Sequence, residues 1–377
     1  MPSFFQARSN FEKTNSSEGK ILGVMLRQGP ITQSVLASET NLTQQSISRI
    51  VTRLIGKGMI QGTSRIAEGK RGQSSLALEI APNFAYSIGI AVMADTISMV
   101  VMNFSGKVIE QQIMPMVMMK PDAVIKIVKE KMLGYVESGL LHKEKVCGVG
   151  VGVTGYFVEE TSSYNTPPSL PDWAFLNVEE LFSEALELPV WSDNDGSTAA
   201  LGESMIGVGR WANNFAYLYL SSGFGGGIVQ DGKLNRGVRG NAGEFAGILP
   251  YNIYTHPTME LLRQIICKNG VQIDSVYQLV TEFDPEWPGI DEWVMKVKDS
   301  LSLVVSAISA ILDNDAIVIG GRIPKALAEK VIPYLEFSSM ARRGKRRPLP
   351  KLVAAEAQGE PTAIGAASLP FNALFFC

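Results

Sequence analysis

Three stretches of this 377-residue chain hold residues whose types and spacing could do chemistry. One runs Tyr219-Leu-Ser-Ser-Gly-Phe-Gly-Gly-Gly-Ile-Val, passes Asp231-Gly-Lys and ends Arg239-Gly-Asn-Ala-Gly-Glu244. Its glycines, Gly223 and Gly225 to Gly227, let a backbone turn tightly and approach a ligand closely, so its amides could meet phosphates or sugar hydroxyls. A hairpin under crowded packing needs the same glycines. Another stretch, Pro189-Val-Trp-Ser-Asp-Asn-Asp195, reads as a strand that delivers polar side chains at its C-terminal end, where sites in α/β sheets collect. The third lies near the N-terminus and carries Thr43, Gln44, Gln45, Ser46, Ser48, Arg49 and Arg53. Gln suits adenine edges, and Arg suits guanine or phosphate.

The elements that must position this third set are short helices. Ser16 or Ser17 is expected to cap a helix reaching Arg27, with Ile21, Leu22, Met25 and Leu26 at helical spacing. Thr32 to Glu39 reads as a second helix with Val35 and Leu36 inward. A turn at Asn41-Leu42 leads to a third, Gln44 to Lys57, capped by Thr43, with Ile47, Ile50, Val51, Leu54 and Ile55 on its apolar face. Two short helices joined by a tight turn are the helix-turn-helix pattern. Strands at Met59 to Ile66 and Ser74 to Ile80 flank the basic loop Ala67-Glu-Gly-Lys-Arg-Gly-Gln73 and complete a wing. We expect Gln44, Gln45 and Arg49 to read bases, and Arg53, Lys70 and Arg71 to meet phosphates.

Charge supports this division. Residues 1 to 80 hold ten Lys/Arg against five Asp/Glu, whereas the other 297 hold 24 against 32, so a basic module rides on an acidic body. Hydrophobic content of 46% and charge of 19% describe a folded protein rather than a disordered one. No apolar run is long enough for a membrane helix and the polar start lacks a signal peptide's core, so a cytoplasmic location is expected. Cys147, Cys267 and Cys377 form neither a metal pair nor a disulfide framework. Arg342-Arg-Gly-Lys-Arg-Arg347 reads as a solvated loop, with an auxiliary DNA contact as the alternative. The apolar tail Phe371 to Cys377 needs cover, from another subunit or from a groove in its own chain.

The body reads as two α/β lobes. Tyr86 to Val101 and Lys107 to Pro115 are expected as a hairpin, followed by a helix from Ala123 to Ser138 and a buried strand ending at Gly155. The second lobe is expected to open near Pro189, with the glycine-rich hairpin, helices from Met259 and Ile290, and a last strand, Asp315 to Gly321. The division is thus 1–82 for the winged head, 83–190 for the first lobe and 191–377 for the second, with the C-terminal segment packing back on the first.

These residues resemble the ROK family of repressors, open reading frames and kinases, and specifically its winged-helix repressors of the NagC/XylR type. The resemblance rests on the winged head, Trp191-Ser-Asp-Asn-Asp195, the hairpin ending Gly-Asn-Ala-Gly-Glu244, Asp313 to Gly321 and Gly359-Glu-Pro-Thr-Ala-Ile-Gly-Ala-Ala367. It implies a two-lobed actin-like, sugar-kinase ATPase fold behind the DNA-binding domain. It also implies a sugar site at Asn194, Asp195, Glu244 and Glu260, with Asp195 accepting a sugar hydroxyl. Thr154, Gly155 and Asn165 are placed to border the same cleft.

The departures from the family pattern matter as much. Where its kinases carry a phosphate loop of the form Asp-x-Gly-Gly-Thr, this chain has Ala91, Val92, Met93, Ala94 and Asp95. A carboxylate there repels phosphate, and the lost glycines block backbone approach, so ATP and kinase chemistry are disfavoured. Ser221-Ser222-Gly223 replaces Gly-Thr-Gly. The Cys/His loop of the family's structural zinc is replaced by Tyr251-Asn-Ile-Tyr-Thr-His-Pro-Thr258, so no metal is expected. Ser169 stands where an amide would contact sugar, and His256 is a candidate for the lost sugar-side histidine.

The function implied is a sugar-responsive transcriptional regulator, a repressor of carbohydrate-utilisation genes. It would act as a homodimer or homotetramer on operator DNA and bind its sugar without phosphorylating it. The alternatives are an ATP-dependent sugar kinase with a DNA-binding head and a ligand-independent DNA-binding dimer.

Overall fold

The computed structural model describes residues 11–66, 75–161 and 163–376. Its head is built from α1 (Ser16–Gln28), α2 (Gln33–Thr40), α3 (Gln44–Gly56) and the antiparallel pair β1 (Ile60–Ile66) and β2 (Ser75–Ile80). The cap of α1 is Asn15 rather than either serine. Its side chain accepts from the amides of Ser17 and Glu18, and the Glu18 carboxylate returns to the Asn15 amide at 3.1 Å, a reciprocal box that a serine one residue later could not close. Thr43 caps α3 by accepting from the Ser46 amide at 3.2 Å. The buried stripe of α3 is Ile47, Ile50, Val51 and Leu54. Ile55 is 46% exposed, because at about 100° per residue it lies roughly 90° from the stripe's centre. Val35 is likewise exposed, and Leu36 alone of that pair points inward. The wing tip with Lys70 and Arg71 lies outside the described residues.

The body begins with β3 (Tyr86–Val92), β4 (Thr96–Asn103) and β5 (Val108–Pro115), an antiparallel meander. The long strand expected from Tyr86 to Val101 is broken at Met93-Ala94-Asp95, where the chain reverses. Next come α4 (Pro121–Glu137), β6 (Val146–Val153), the small pair β7 (Tyr156–Val158) and β8 (Ser163–Asn165), α5 (Val178–Leu186) and β9 (Val190–Asn194). β9 pairs parallel with β6, giving the order β5-β4-β3-β6-β9. The strand read as opening the second lobe therefore closes the first sheet, and the boundary placed at 190/191 falls inside a strand that β6 already holds.

The chain leaves that sheet through α6 (Asp195–Ile206) and enters a second one. This is built from β10 (Phe215–Leu220), β11 (Phe224–Gln230) and β12 (Lys233–Asn235), then α7 (Met259–Lys268), α8 (Val276–Thr281), α9 (Ile290–Leu312), β13 (Ala316–Gly321), α10 (Lys325–Val331) and β14 (Lys351–Ala354). Its order is β12-β11-β10-β13-β14. The last helix, α11 (Pro361–Leu374), returns to lie on the first sheet and against α6. Two helices thus fill the space between two sheets, α11 on the first and α6 on the second. They approach closely: a Cβ on Gly365 would collide with the Thr198 carbonyl.

The outer faces of the sheets carry their own cores. Val124, Val128, Met132 and Phe182 from α4 and α5 cover the first, and Leu262, Trp293, Val297 and Leu301 from α7 and α9 cover the second. A third apolar core runs without interruption from α1 and α3 of the head to α6 and α11. Phe84, Phe104 and Phe375 pack there with ring centroids 4.9 to 5.8 Å apart, and the Thr14 amide and hydroxyl donate to the carbonyls of Leu374 and Phe375. A groove of the chain itself therefore covers the apolar tail. The Arg342–Arg347 loop is exposed, with Arg347 donating to the Ser309 carbonyl at 3.0 Å.

Candidate functional site

The C-terminal ends of β3, β6 and β9 face the β10–β11 turn across a cavity of about 1010 Å³. Asn194 ends β9 and caps α6, its side-chain oxygen accepting from the Ser197 amide at 2.6 Å. The amide nitrogen left over donates to Glu244 Oε1 at 3.3 Å, so one side chain fixes the helix start and holds a carboxylate from the opposite wall. Asp195 is the first residue of α6. Its carboxylate accepts from Thr154 Oγ1 and from the Gly196 amide, both at 2.9 Å. Burial pushes its pKa up to about 7 against those two bonds, with the Glu244 and Glu360 charges adding to the rise. Near neutrality Asp195 can therefore donate as well as accept, which widens the acceptor role expected from sequence. Burial also raises Glu244, opposed by the Asn194 amide.

Glu260 lines the same cavity from α7 but is already engaged. Arg263 donates to it through Nε at 2.9 Å and Nη2 at 2.8 Å, and these bonds hold its carboxyl below the usual range. Gly155 and Asn165 line the wall with Thr154, and Ser169 does so within the proline-rich turn Thr166 to Pro171. His256 does not line this cavity. Its Nε2 pairs with the Leu249 carbonyl at 2.8 Å and its ring stacks on Tyr251 with centroids 3.9 Å apart, so the loop turns inward on itself and cannot present the imidazole to the cleft.

The glycine-rich run divides in two. A Cβ on Gly226 would strike the Tyr217 carbonyl and the Phe245 ring, and one on Gly227 would come within 2.6 Å of the Ala200 methyl of α6. Those two glycines let helix and sheet pack. Gly223 and Gly225 face open space and line the cavity. Asn241, at the far end of the run, is occupied by the backbone of Phe157, accepting from its N–H at 2.7 Å and donating to its C=O at 2.8 Å.

Sequence reasoning missed two residues. Arg263 follows Glu260 by three positions, a spacing that marks an ion pair on a helix. Arg322 follows the buried strand β13 directly; it is 8% exposed and its Nη1 donates to Asp95 Oδ1 at 2.6 Å. A cation immediately after a fully apolar strand and Gly320-Gly321 was the signal available for it.

On the head, Thr43, Gln44, Gln45, Ser48 and Arg49 are exposed along the N-terminal half of α3, with Ser46 half-buried. Arg53 has a second task. Its Nε lies 2.7 Å from Glu18, whose side chain is buried, tying α3 to α1.

Fold and site together define a winged-helix head on a two-lobed body of the sugar-kinase type. The ROK family model matches residues 87–256 and the MarR family model residues 15–71. It is 22% identical to an uncharacterized protein of Sinorhizobium fredii over 96% of this chain and 92% of that one. Likeness to the xylose repressor of Caldicellulosiruptor bescii is 25% over 59% of this chain, which spans 56% of the repressor's length. Among solved structures, a ROK family transcriptional regulator homologous to the Escherichia coli MLC protein superposes with a TM-score of 0.66 over 96% of this chain and 98% of its own, at 19% identity. A ROK family glucokinase from Streptomyces griseus in complex with glucose and AMPPNP superposes at 0.59 over 76% and 99%, also at 19%.

Proposed function

We propose that the protein is a sugar-responsive DNA-binding transcriptional regulator, a repressor, whose cleft holds a sugar or sugar derivative without phosphorylating it. The observation that carries this reading is the contrast between the two sides of the cavity. On one side Asn194 holds Glu244 and Thr154 holds Asp195 beside them, a group of carboxylates and an amide suited to paired hydroxyls. On the other, the β3–β4 turn offers Met93, Ala94 and a carboxylate already committed to Arg322. Phosphoryl transfer depends on charge stabilisation of the moving group, and here Asp95 takes up the Arg322 cation that could otherwise serve it.

The exposed residues Gln44, Gln45, Ser46 and Arg49 at the start of α3 support contacts to bases, with Thr43 at the cap beside them. Two heads on a homodimer or homotetramer would meet two half-sites of an operator. That xylose repressors are among the relatives supports a carbohydrate signal, with the sugar itself left open.

The test is a thermal-shift screen against monosaccharides, amino sugars, sugar phosphates and inositols, paired with operator binding at fixed salt with and without each hit. A hit that raises the melting temperature and changes operator affinity supports the reading. Transfer of phosphate from ATP to any sugar overturns the sensor half of it. Operator binding with no response to any compound favours a ligand-independent DNA-binding dimer.

A further inference from the structure

Asp95 and Arg322 belong to different sheets. Asp95 lies in the β3–β4 turn of the first, whereas Arg322 follows β13 of the second and is anchored there by its own amide, which donates to the Leu220 carbonyl at 2.7 Å. The Asp95 side chain reaches across and uses both oxygens. Oδ1 accepts from Arg322 Nη1 at 2.6 Å and Oδ2 from the Tyr277 amide of α8 at 2.9 Å. Both partners are on the second lobe. Arg322 is 8% exposed, and a guanidinium so withdrawn from water needs a counter-charge. Glu360, the N-cap of α11, adds a charge near Arg322, but its hydrogen bonds go to Ala363 and Thr362. The carboxylate in contact with Arg322 comes from the other lobe.

We infer that Asp95 and Arg322 form an interlobe latch that holds the cleft in its present arrangement before any ligand enters. A carboxylate of the chain itself joins the two lobes at this turn. The latch also sets a wall of the cavity. Asp274, Ser275 and Val276 line it immediately before Tyr277, so the Asp95 bond to the Tyr277 amide fixes their approach. The inference rests on the proposed sugar site only for its effect on ligand affinity; the latch itself is read without ligand.

Amide hydrogen exchange on the ligand-free full chain tests it. In Asp95→Ala the Tyr277 amide should exchange at least about tenfold faster. The Phe157 amide, held by Asn241 of the opposite lobe and remote in sequence from either residue, should speed up with it, because lobe separation breaks both contacts. Formate should restore slow exchange in Asp95→Ala by filling the place of the missing carboxylate, and should do nothing for Arg322→Gln. Asp95→Asn keeps the shape and loses the charge, so it gives an intermediate rate if the alanine variant does not fold. Unchanged exchange in the asparagine variant, acceleration confined to Tyr277, or equal rescue of Arg322→Gln by formate each overturns the latch. A working latch with no response to any sugar leaves it standing and removes only the ligand reading.

Discussion

The Thr154 hydroxyl donates to the Asp195 carboxylate at 2.9 Å, across the gap between the end of β6 and the start of α6. The bond favours the charged form of Asp195, yet burial outweighs it and leaves the pKa at about 7, above the ordinary value of 3.8. The unfolded chain would release this proton near 3.8, while the folded chain keeps it until about 7. Stability attributed to Asp195 is therefore greatest at acid pH, falls as pH rises between those values, and levels off above the upper one. Asp195→Asn removes the penalty. It should raise stability at pH 8 by up to a ceiling of roughly 4 kcal/mol and change it little at pH 4. Denaturant melts of both proteins at the two pH values check this, and equal differences at both would show that the proton is not held.

The same titration reaches ligand binding if a sugar hydroxyl donates to Asp195. Affinity should then rise with pH through about 7, by up to tenfold per unit below that value, because only the ionised carboxylate accepts fully. In Asp195→Asn the pH dependence should flatten and the affinity at pH 8 should fall. Titration calorimetry with the first hit from the sugar screen measures both. A wild-type affinity constant from pH 6 to 8 would mean that the ligand leaves this carboxylate alone.

Gln44→Ala with Arg49→Ala should lose about 2 to 6 kcal/mol of preference for the operator over random DNA, while the melting temperature and any sugar-induced shift stay as they were. Both side chains are exposed on α3 and outside its buried stripe. Competition binding at one salt concentration supplies the ratio. Loss of the sugar response in the same variant would show that these residues do more than face DNA.

Much of this was legible beforehand, for reasons that differ by residue. The head was readable because Ile47, Ile50, Val51 and Leu54 repeat at helical spacing beside a capping Thr43. Asn194, Asp195 and Glu244 were readable through their motif, and the structure brings them to one cavity. The placement of β9 was not, because an apolar strand followed by a polar end looks the same whichever sheet receives it. His256 could not be placed from sequence either, since the partner that turns it away is a backbone carbonyl, Leu249, which leaves no mark on residue type. Gly226 and Gly227 looked like a phosphate cradle for a related reason: only the approach of Ala200 and Tyr217 reveals that packing requires them.

Arg53 separates a DNA contact from a structural one. Sequence assigns it to phosphate, but its Nε is 2.7 Å from Glu18, a side chain 3% exposed that also closes the cap of α1. Removing Arg53 leaves that buried carboxylate with only Lys57, 3.9 Å away, as a counter-charge, and loss of one member of a buried pair sets a ceiling of about 3 to 5 kcal/mol. Since Arg53 is itself 47% exposed, solvent screens much of the attraction and a loss of roughly 1 to 2 kcal/mol is expected from Arg53→Ala. A phosphate contact alone predicts unchanged stability and a salt slope of DNA binding shallower by about one. Pairing Arg53→Ala with Glu18→Gln decides between them. If the two residues act through each other, the double variant should melt above the sum of the single losses and regain an ordered head. If Arg53→Ala leaves the melting temperature unchanged and only makes the salt slope shallower, Arg53 acts on DNA and its contact with Glu18 carries no weight in the fold.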